Sequence, residues 1–353
     1  MLRIGFRTMA NADIGLGHLK RCLALASTIT DSQHFYLCET DDTAQNIIKQ
    51  EGHAYSVVGL GNFSPKPDGL DVCIFDLTNP YSIKYQELVA TEALNVQQAG
   101  GLAVLIDGLA DIVIVSHSDF PIDILIKPYA GAETVKDAPF RQLCGASWAI
   151  FSKDIIERAE RLKTSRAQHH SLSPRKVLVT CGASDPNNTT ALTLKALAAS
   201  KSGELNIRVI VGPFFTADLI AKIEHLSSGL KRIELIHAPD SLIEHMAWCD
   251  FAIATSGLTK YELALMGTPS IQMSLDHENA IANEGFAQTG CSLHLGPSEN
   301  VTVEQLTDAI DKLESDQDLR ETMTEKCIRT VDTQGNVRIT EQLEELIRAR
   351  SHI

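Results

Sequence analysis

The sequence predicts an α/β protein of two doubly wound domains, with an interdomain cleft and a helical C-terminal tail. Three observations carry that prediction. At 353 residues the chain exceeds what one core usually organises, so two domains of roughly 150–200 residues are expected. Short apolar runs alternate with helical patterns through both halves, which implies βαβ units and a mostly parallel sheet in each. Near the middle, a polar stretch over 157–174 interrupts the alternation and ends at Ser173-Pro174-Arg175.

In the first half, residues 2–7, 34–38, 54–58, 72–75, 102–106 and 122–126 read as strands. Leu19, Cys22, Leu23 and Ala26 form an apolar helix face after the first of them, and Tyr85, Leu88 and Val89 contribute to a later one. The polar stretch reads as a linker, giving domains at 1–165 and 175–353. His169 and His170 within it have no further ligands nearby and fit a solvated linker better than a metal tract. In the second half, strands are expected at 176–180, 207–211, 232–236, 251–254 and 270–273. Helices are expected at 189–199, 217–225, 241–248, 258–266 and 279–289, and the last fifty residues read as helical.

Composition narrows the partners. The balance of 31 basic and 45 acidic residues, a formal charge of -14, argues against broad binding to nucleic acid or an anionic membrane. A phosphate ligand held by local donors stays open. Eight scattered cysteines without a CxxC pair argue against a disulfide framework or structural zinc. Met1 opens directly into a strand, with no room for a signal peptide, and no apolar run approaches the ~20 residues of a membrane span. A cytoplasmic protein without membrane insertion is expected.

Ligands of doubly wound sheets bind outside the carboxyl ends of the strands, so the loops there are the candidates. Gly15 and Gly17 lie between the first strand and first helix, where they permit close backbone approach and leave amides for an anion. His18 follows at the helix start, whose field disfavours an imidazolium and suits a neutral base. The plainer alternative is a tight turn with a capping histidine. Gly182, Ser184, Asp185 and Asn188 end the first strand of the second domain, as ligand donors or as a helix-capping turn. Ser256, Gly257, Leu258 and Thr259 offer hydroxyl and amide donors to a diphosphate, and Glu262 a carboxylate to a ribose diol. Glu262 could equally serve only as a charge near a helix N-terminus. In Asp276-His277-Glu278-Asn279, adjacent side chains diverge on a helix and make poor co-ligands. No Walker-type loop and no dense ligand cluster occurs, so neither metal nor cofactor is expected.

These loops together resemble one family: the UDP-sugar hydrolase of pseudaminic acid biosynthesis, with its spore-coat polysaccharide relatives. Residues 14–26 are close to the family's IGxGHxxRCLxLA segment, and Gly182 to Asn188 match its GGSDPNN loop at six of seven positions. Ser256 to Glu262, with Gly267 and Pro269, are similar to its GGSTxWE and GxP segments, and the resemblance spans roughly residues 2–295. It implies a GT-B fold of two Rossmann-like domains, with the nucleotide held chiefly by the second and a tail helix crossing back to brace the first. It also implies metal-free cleavage at the anomeric carbon with release of UDP. His18 falls on the catalytic histidine, Glu262 on the ribose glutamate and the 256–259 loop on the diphosphate. Arg7, Arg21, Asp76, Glu278 and Asn279 fall on or near the sugar side. There the sequence departs from the pattern, with Met9 for an acidic residue, Asp76-Leu77-Thr78 for Asp-His-Tyr and Asp107-Gly108 for Asp-Asp. The Trp148–Ser152 and Glu278-Asn279 segments diverge too, so the expectation extends to nucleotide-sugar chemistry and not to the pseudaminic precursor.

A hydrolase is the first reading, a glycosyltransferase activating a soluble acceptor through the same histidine the second, and a non-catalytic nucleotide-sugar binder the third. The small-molecule partner is the same in all three.

Overall fold

A computed structural model describes residues 2–11, 14–29, 31–66, 69–77, 83–106, 120–166, 175–201, 205–255 and 257–350. Thr78, Asp107, Gly108, His169, His170 and Ser256 lie outside these. The chain forms two compact units, Met1–Lys153 with Gln334–Ile353, and Asp154–Thr333.

The first unit runs β1 (Arg3–Ala10), α1 (Gly17–Ala26), β2 (Ser32–Thr40), α2 (Asp42–Gln50), β3 (Ala54–Val57), β4 (Val72–Asp76), α3 (Ile83–Gln98), β5 (Leu102–Ile106), β6 (Ile124–Lys127) and β7 (Arg141–Cys144). Its seven strands are parallel in the order β3-β2-β1-β4-β5-β6-β7. The strand alternation feeds two apolar layers. Val72, Ile74, Leu102 and Val104 join Leu19, Cys22 and Leu25 of α1 on one face. Cys73, Phe75, Ala103 and Leu105 join Val89, Ala93 and Val96 of α3 on the other. Because both faces are covered, β4 and β5 are buried throughout and read as unbroken apolar runs.

The second unit begins with α4 (Lys153–Arg166) and continues β8 (Lys176–Thr180), α5 (Thr189–Ala199), β9 (Asn206–Val211), α6 (Ala217–Ser227), β10 (Ile233–His237), α7 (Ile243–Trp248), β11 (Phe251–Thr255), α8 (Thr259–Leu265), β12 (Ser270–Ser274), α9 (His277–Ala287), β13 (Ser292–Pro297), α10 (Val303–Ser315) and α11 (Gln317–Thr330). The sheet is parallel in the order β10-β9-β8-β11-β12-β13. The final helix, α12 (Gly335–Arg350), belongs to the first unit, where Ile339 and Leu343 enter the core beside α1.

Two features differ from the sequence expectation. Residues 157–166, expected as part of the linker, belong to helix α4, and 154–166 fall in the second unit. Their apolar stripe is thin (Ile155, Ala159 and Leu162) and lies among charged residues, one of which, Arg158, pairs with Glu244 at 2.8 Å. The strands β7 (RQLC) and β13 (SLHLGP) escaped notice because polar residues, or glycine and proline, interrupt their short apolar patterns.

In each sheet the order reverses beside the first strand of the unit. Successive crossovers there leave in opposite directions, between β1 and β4 in one sheet and between β8 and β11 in the other. Such a switch point opens a crevice at the carboxyl strand ends.

Candidate active site

The switch point of the first unit gathers three of the expected residues. Asp76 ends β4, in register with Thr8 of β1, and is fully buried. Its Oδ1 lies 2.8 Å from His18 Nδ1. Arg21, one helical turn beyond His18, reaches the same carboxylate through Nε at 2.6 Å and Nη2 at 2.5 Å. Burial alone pushes the Asp76 carboxyl up; the charge and hydrogen bonds of Arg21, with those of His18, outweigh it and hold the carboxyl below its ordinary range.

An ionised carboxylate accepts, so His18 Nδ1 carries a proton, and in the neutral ring Nε2 is the acceptor. The His18 side chain is 23% exposed, and among the described residues Nε2 has no hydrogen-bond partner. This is the geometry of an oriented general base. Arg21, buried at 4% exposure, anchors the carboxylate and is not itself open to a ligand.

The turn before α1 is also open. Gly15 has a φ of 83°, closed by its amide onto the Asn11 carbonyl at 2.8 Å, and a Cβ at Gly15 or Gly17 would meet nothing within 4 Å. Among the described residues no side chain caps α1, and its first turn holds no acidic residue.

Arg7 requires a correction. It is fully buried, paired with Glu92 at 2.8 and 2.7 Å, and donates to the carbonyls of Val58 and Gly59. Glu92 in turn accepts from the amides of Gly61 and Phe63. The pair fixes the loop after β3 inside the unit, so Arg7 is structural rather than substrate-binding.

In the second unit the loops after β8 and β11 are neighbours: a Cβ on Gly182, at φ 82°, would lie 3.8 Å from Thr255 Oγ1. Asp185 is 2% exposed, and its two oxygens accept from the amides of Thr189 and Thr190 at 2.8 Å each. Its carboxylate is thus a helix cap. Ser184 and Asn188 are exposed on the same turn, Asn188 in the left-handed region at φ 55°. Asn187, which the sequence did not single out, ties this turn to the Leu275 carbonyl and to Ser298 Oγ at 2.7 and 2.9 Å. Gly257, at φ 119°, has open space where a Cβ would stand, and Leu258 and Thr259 lead into α8. Glu262 is half-buried in that helix. Glu278 and Asn279 lie in the first turn of α9, their side chains outside the described residues.

Sequence reasoning also passed over a buried polar chain beneath these loops: Lys260 Nζ to Asn283, Asn283 to Ser274, and Ser274 to His294. Its signal was readable. Lys260 shares the buried side of α8 with Leu263 and Ala264, where helical spacing ordinarily puts an apolar residue. Among the described residues no group of three His, Cys, Asp or Glu could hold a metal, and no helix is long and apolar enough to cross a membrane.

No family model matches the chain. It is 23% identical to the uncharacterized protein MJ1062 of Methanocaldococcus jannaschii over 84% of this chain and 60% of that protein. It is 28% identical to the spore coat polysaccharide biosynthesis protein SpsG of Bacillus subtilis over 49% of this chain and 50% of that one. Over 30% of this chain and 29% of the relative, it is 36% identical to the UDP-N-acetylglucosamine–N-acetylmuramyl-(pentapeptide) pyrophosphoryl-undecaprenol N-acetylglucosamine transferase of Mannheimia succiniciproducens. The chain thus spans between 29% and 60% of the length of these relatives. Among solved structures, MurG of Acinetobacter baumannii superposes with a TM-score of 0.70 at 13% identity, covering 97% of this chain and 99% of that one. The UDP-glucose complex of Anabaena HepE gives 0.60 at 15% identity, covering 99% and 100%. The two parallel sheets of seven and six strands, with their covering helices, have the GT-B fold of these structures.

Proposed function

We propose that this chain is a nucleotide-sugar enzyme, a UDP-sugar hydrolase, in which His18 is the general base. The observation that carries the reading is the His18–Asp76–Arg21 constellation. Asp76 orients the imidazole, and Nε2 takes a proton from water as the water oxygen attacks the anomeric carbon. The bond from that carbon to the diphosphate oxygen breaks, and UDP leaves with the bonding pair. Backbone amides and hydroxyls of the Gly182 and Gly257 loops stabilise the departing charge, with Glu262 on the ribose. The likeness to SpsG and the UDP-glucose complex of HepE support a nucleotide-sugar ligand.

A second reading, a glycosyltransferase, is favoured by the MurG superposition and by the 36% identity to the Mannheimia transferase segment. The same base would then deprotonate an acceptor hydroxyl. The test is free UDP released from a panel of UDP-sugars, without acceptor, beside His18→Ala. The hydrolase reading expects many turnovers, falling roughly 100- to 10,000-fold in the variant with UDP affinity nearly intact. UDP binding without release would overturn hydrolysis in favour of transfer; equal loss of UDP binding in the variant would make His18 a phosphate ligand.

A further inference from the structure

The chain Lys260–Asn283–Ser274–His294 occupies the second unit under the loops that follow β11 and β12. Lys260 is 1% exposed, and its ammonium meets the Asn283 amide oxygen and the faces of Tyr261 and Phe286, at 5.4 and 5.7 Å. Among the described residues no carboxylate pairs with it. A buried cation without a counter-charge is costly and normally neutralises itself or finds an anion.

Among the described residues its surroundings do not supply one. From β13 comes His294, whose own imidazole is pushed down by burial and then by the Lys260 charge. From α9 comes Glu284, felt at His294, and from α8 itself Glu262, two positions further on. The buried face of α11, which packs on α8, brings Met323, Cys327 and Arg320, the last held by the Leu313 and Glu314 carbonyls. Asn283 donates to Ser274 Oγ at 2.9 Å, and Ser274 meets His294 Nε2 at 2.9 Å, so the amide is committed on both sides. The network joins the first turn of α8 to the end of β12, immediately before the loop that leads into Glu278 and Asn279.

We propose that Lys260 is a proton-linked positioning residue for the nucleotide: the diphosphate supplies the missing negative charge, and its binding loads a proton onto the buried amine. This inference rests on the nucleotide-sugar reading. Lys260 lies three residues past Gly257, so their Cα atoms are within about 10 Å by chain length alone. In a poorly screened interior, an anion at that range favours the charged amine. Before binding, burial lowers the Lys260 amine to about 7, so above neutrality it is largely uncharged. An anion raises it, and affinity therefore falls as pH climbs past the free-state value.

The experiment is calorimetric titration of UDP into the full chain at about pH 8, in two buffers of different ionisation enthalpy, beside Lys260→Met. The native protein should take up close to one proton more per UDP than the variant; protons gained by UDP itself are common to both. The native affinity should also fall about tenfold per pH unit above neutrality, and the variant's should not. Lys260→Met removes the cost of the buried cation but takes the donor from the Asn283 oxygen, so the variant should fold with a Tm near that of the native protein. Equal proton uptake in both proteins overturns the inference and leaves the nucleotide reading standing, and so does a flat native pH profile, which needs no variant. No UDP binding by the native protein overturns the nucleotide reading itself, and this inference with it.

Discussion

Asp76 accepts hydrogen bonds from His18 and Arg21 together, and the two donors divide its work. Arg21 keeps the buried carboxyl ionised, and the ionised carboxyl decides which imidazole nitrogen is bare. Asp76→Asn separates these functions. Arg21 donates to both oxygens, so an amide in either orientation sets its NH2 against an Arg21 N–H; where the NH2 takes the Oδ1 place it also faces Nδ1, moves the imidazole proton to Nε2 and removes the proposed base. Turnover should fall about 100- to 10,000-fold with UDP affinity changed little. Single-turnover kinetics and UDP titration check this; loss confined to KM would show that Asp76 only shapes a binding surface. Lysines and arginines near a site invite the label of ligand, and Arg7 shows the limit of that inference. Its Glu92 partner is 85 residues away in sequence, and no local pattern announces the pair.

At the scale of elements, the turn after β8 poses a choice between capping α5 and holding a ligand. Asp185 spends both oxygens on helix amides, so Asp185→Ala orphans two buried donors and should cost about 2 kcal/mol of stability. Asp185→Asn keeps an acceptor and tolerates the φ of 45°, so it should cost less. Denaturant unfolding with parallel UDP titration decides the matter. Stability unchanged while UDP affinity collapses would assign the side chain to the ligand. The same elements show what the sequence made legible. Central strands such as β4 and β5 announced themselves because burial on both faces forces unbroken apolar runs. The glycine turns were legible because they interrupt those runs at strand ends. The edge strands β7 (RQLC) and β13 (SLHLGP) and the helix α4 were not, since polar residues dilute their short apolar patterns. The Lys260 network was half legible: helical spacing puts the lysine on a buried face, but only the fold brings Asn283, Ser274 and His294 to it.

For the whole molecule, the decisive feature is that the chain completes its first unit with its last helix. Asn336 of α12 accepts from the Phe151 amide at 3.0 Å and donates to the carbonyls of Ala24 and Phe151 at 2.9 Å each, all of them buried. A Cβ at the neighbouring Gly335 would stand 2.0 Å from the Ala149 carbonyl oxygen, so only glycine lets α12 approach this closely. Ile339 and Leu343 then close the α1 side of the core, and Arg338 reaches the Ser147 carbonyl at 2.7 Å. Asn336→Ala would take that partner from the Phe151 amide and carbonyl, at about 1–3 kcal/mol for each group left unsatisfied, while the Ala24 carbonyl keeps the Ser27 hydroxyl. The loss should be local to the unit whose core is opened. Hydrogen exchange read by mass spectrometry should therefore quicken in β1, β4, β5 and α1 while β8, β11 and α5 keep their protection. Equal quickening in both sets would mean that the two units unfold as one cooperative body, and that α12 stabilises the whole chain rather than the unit carrying His18 and Asp76.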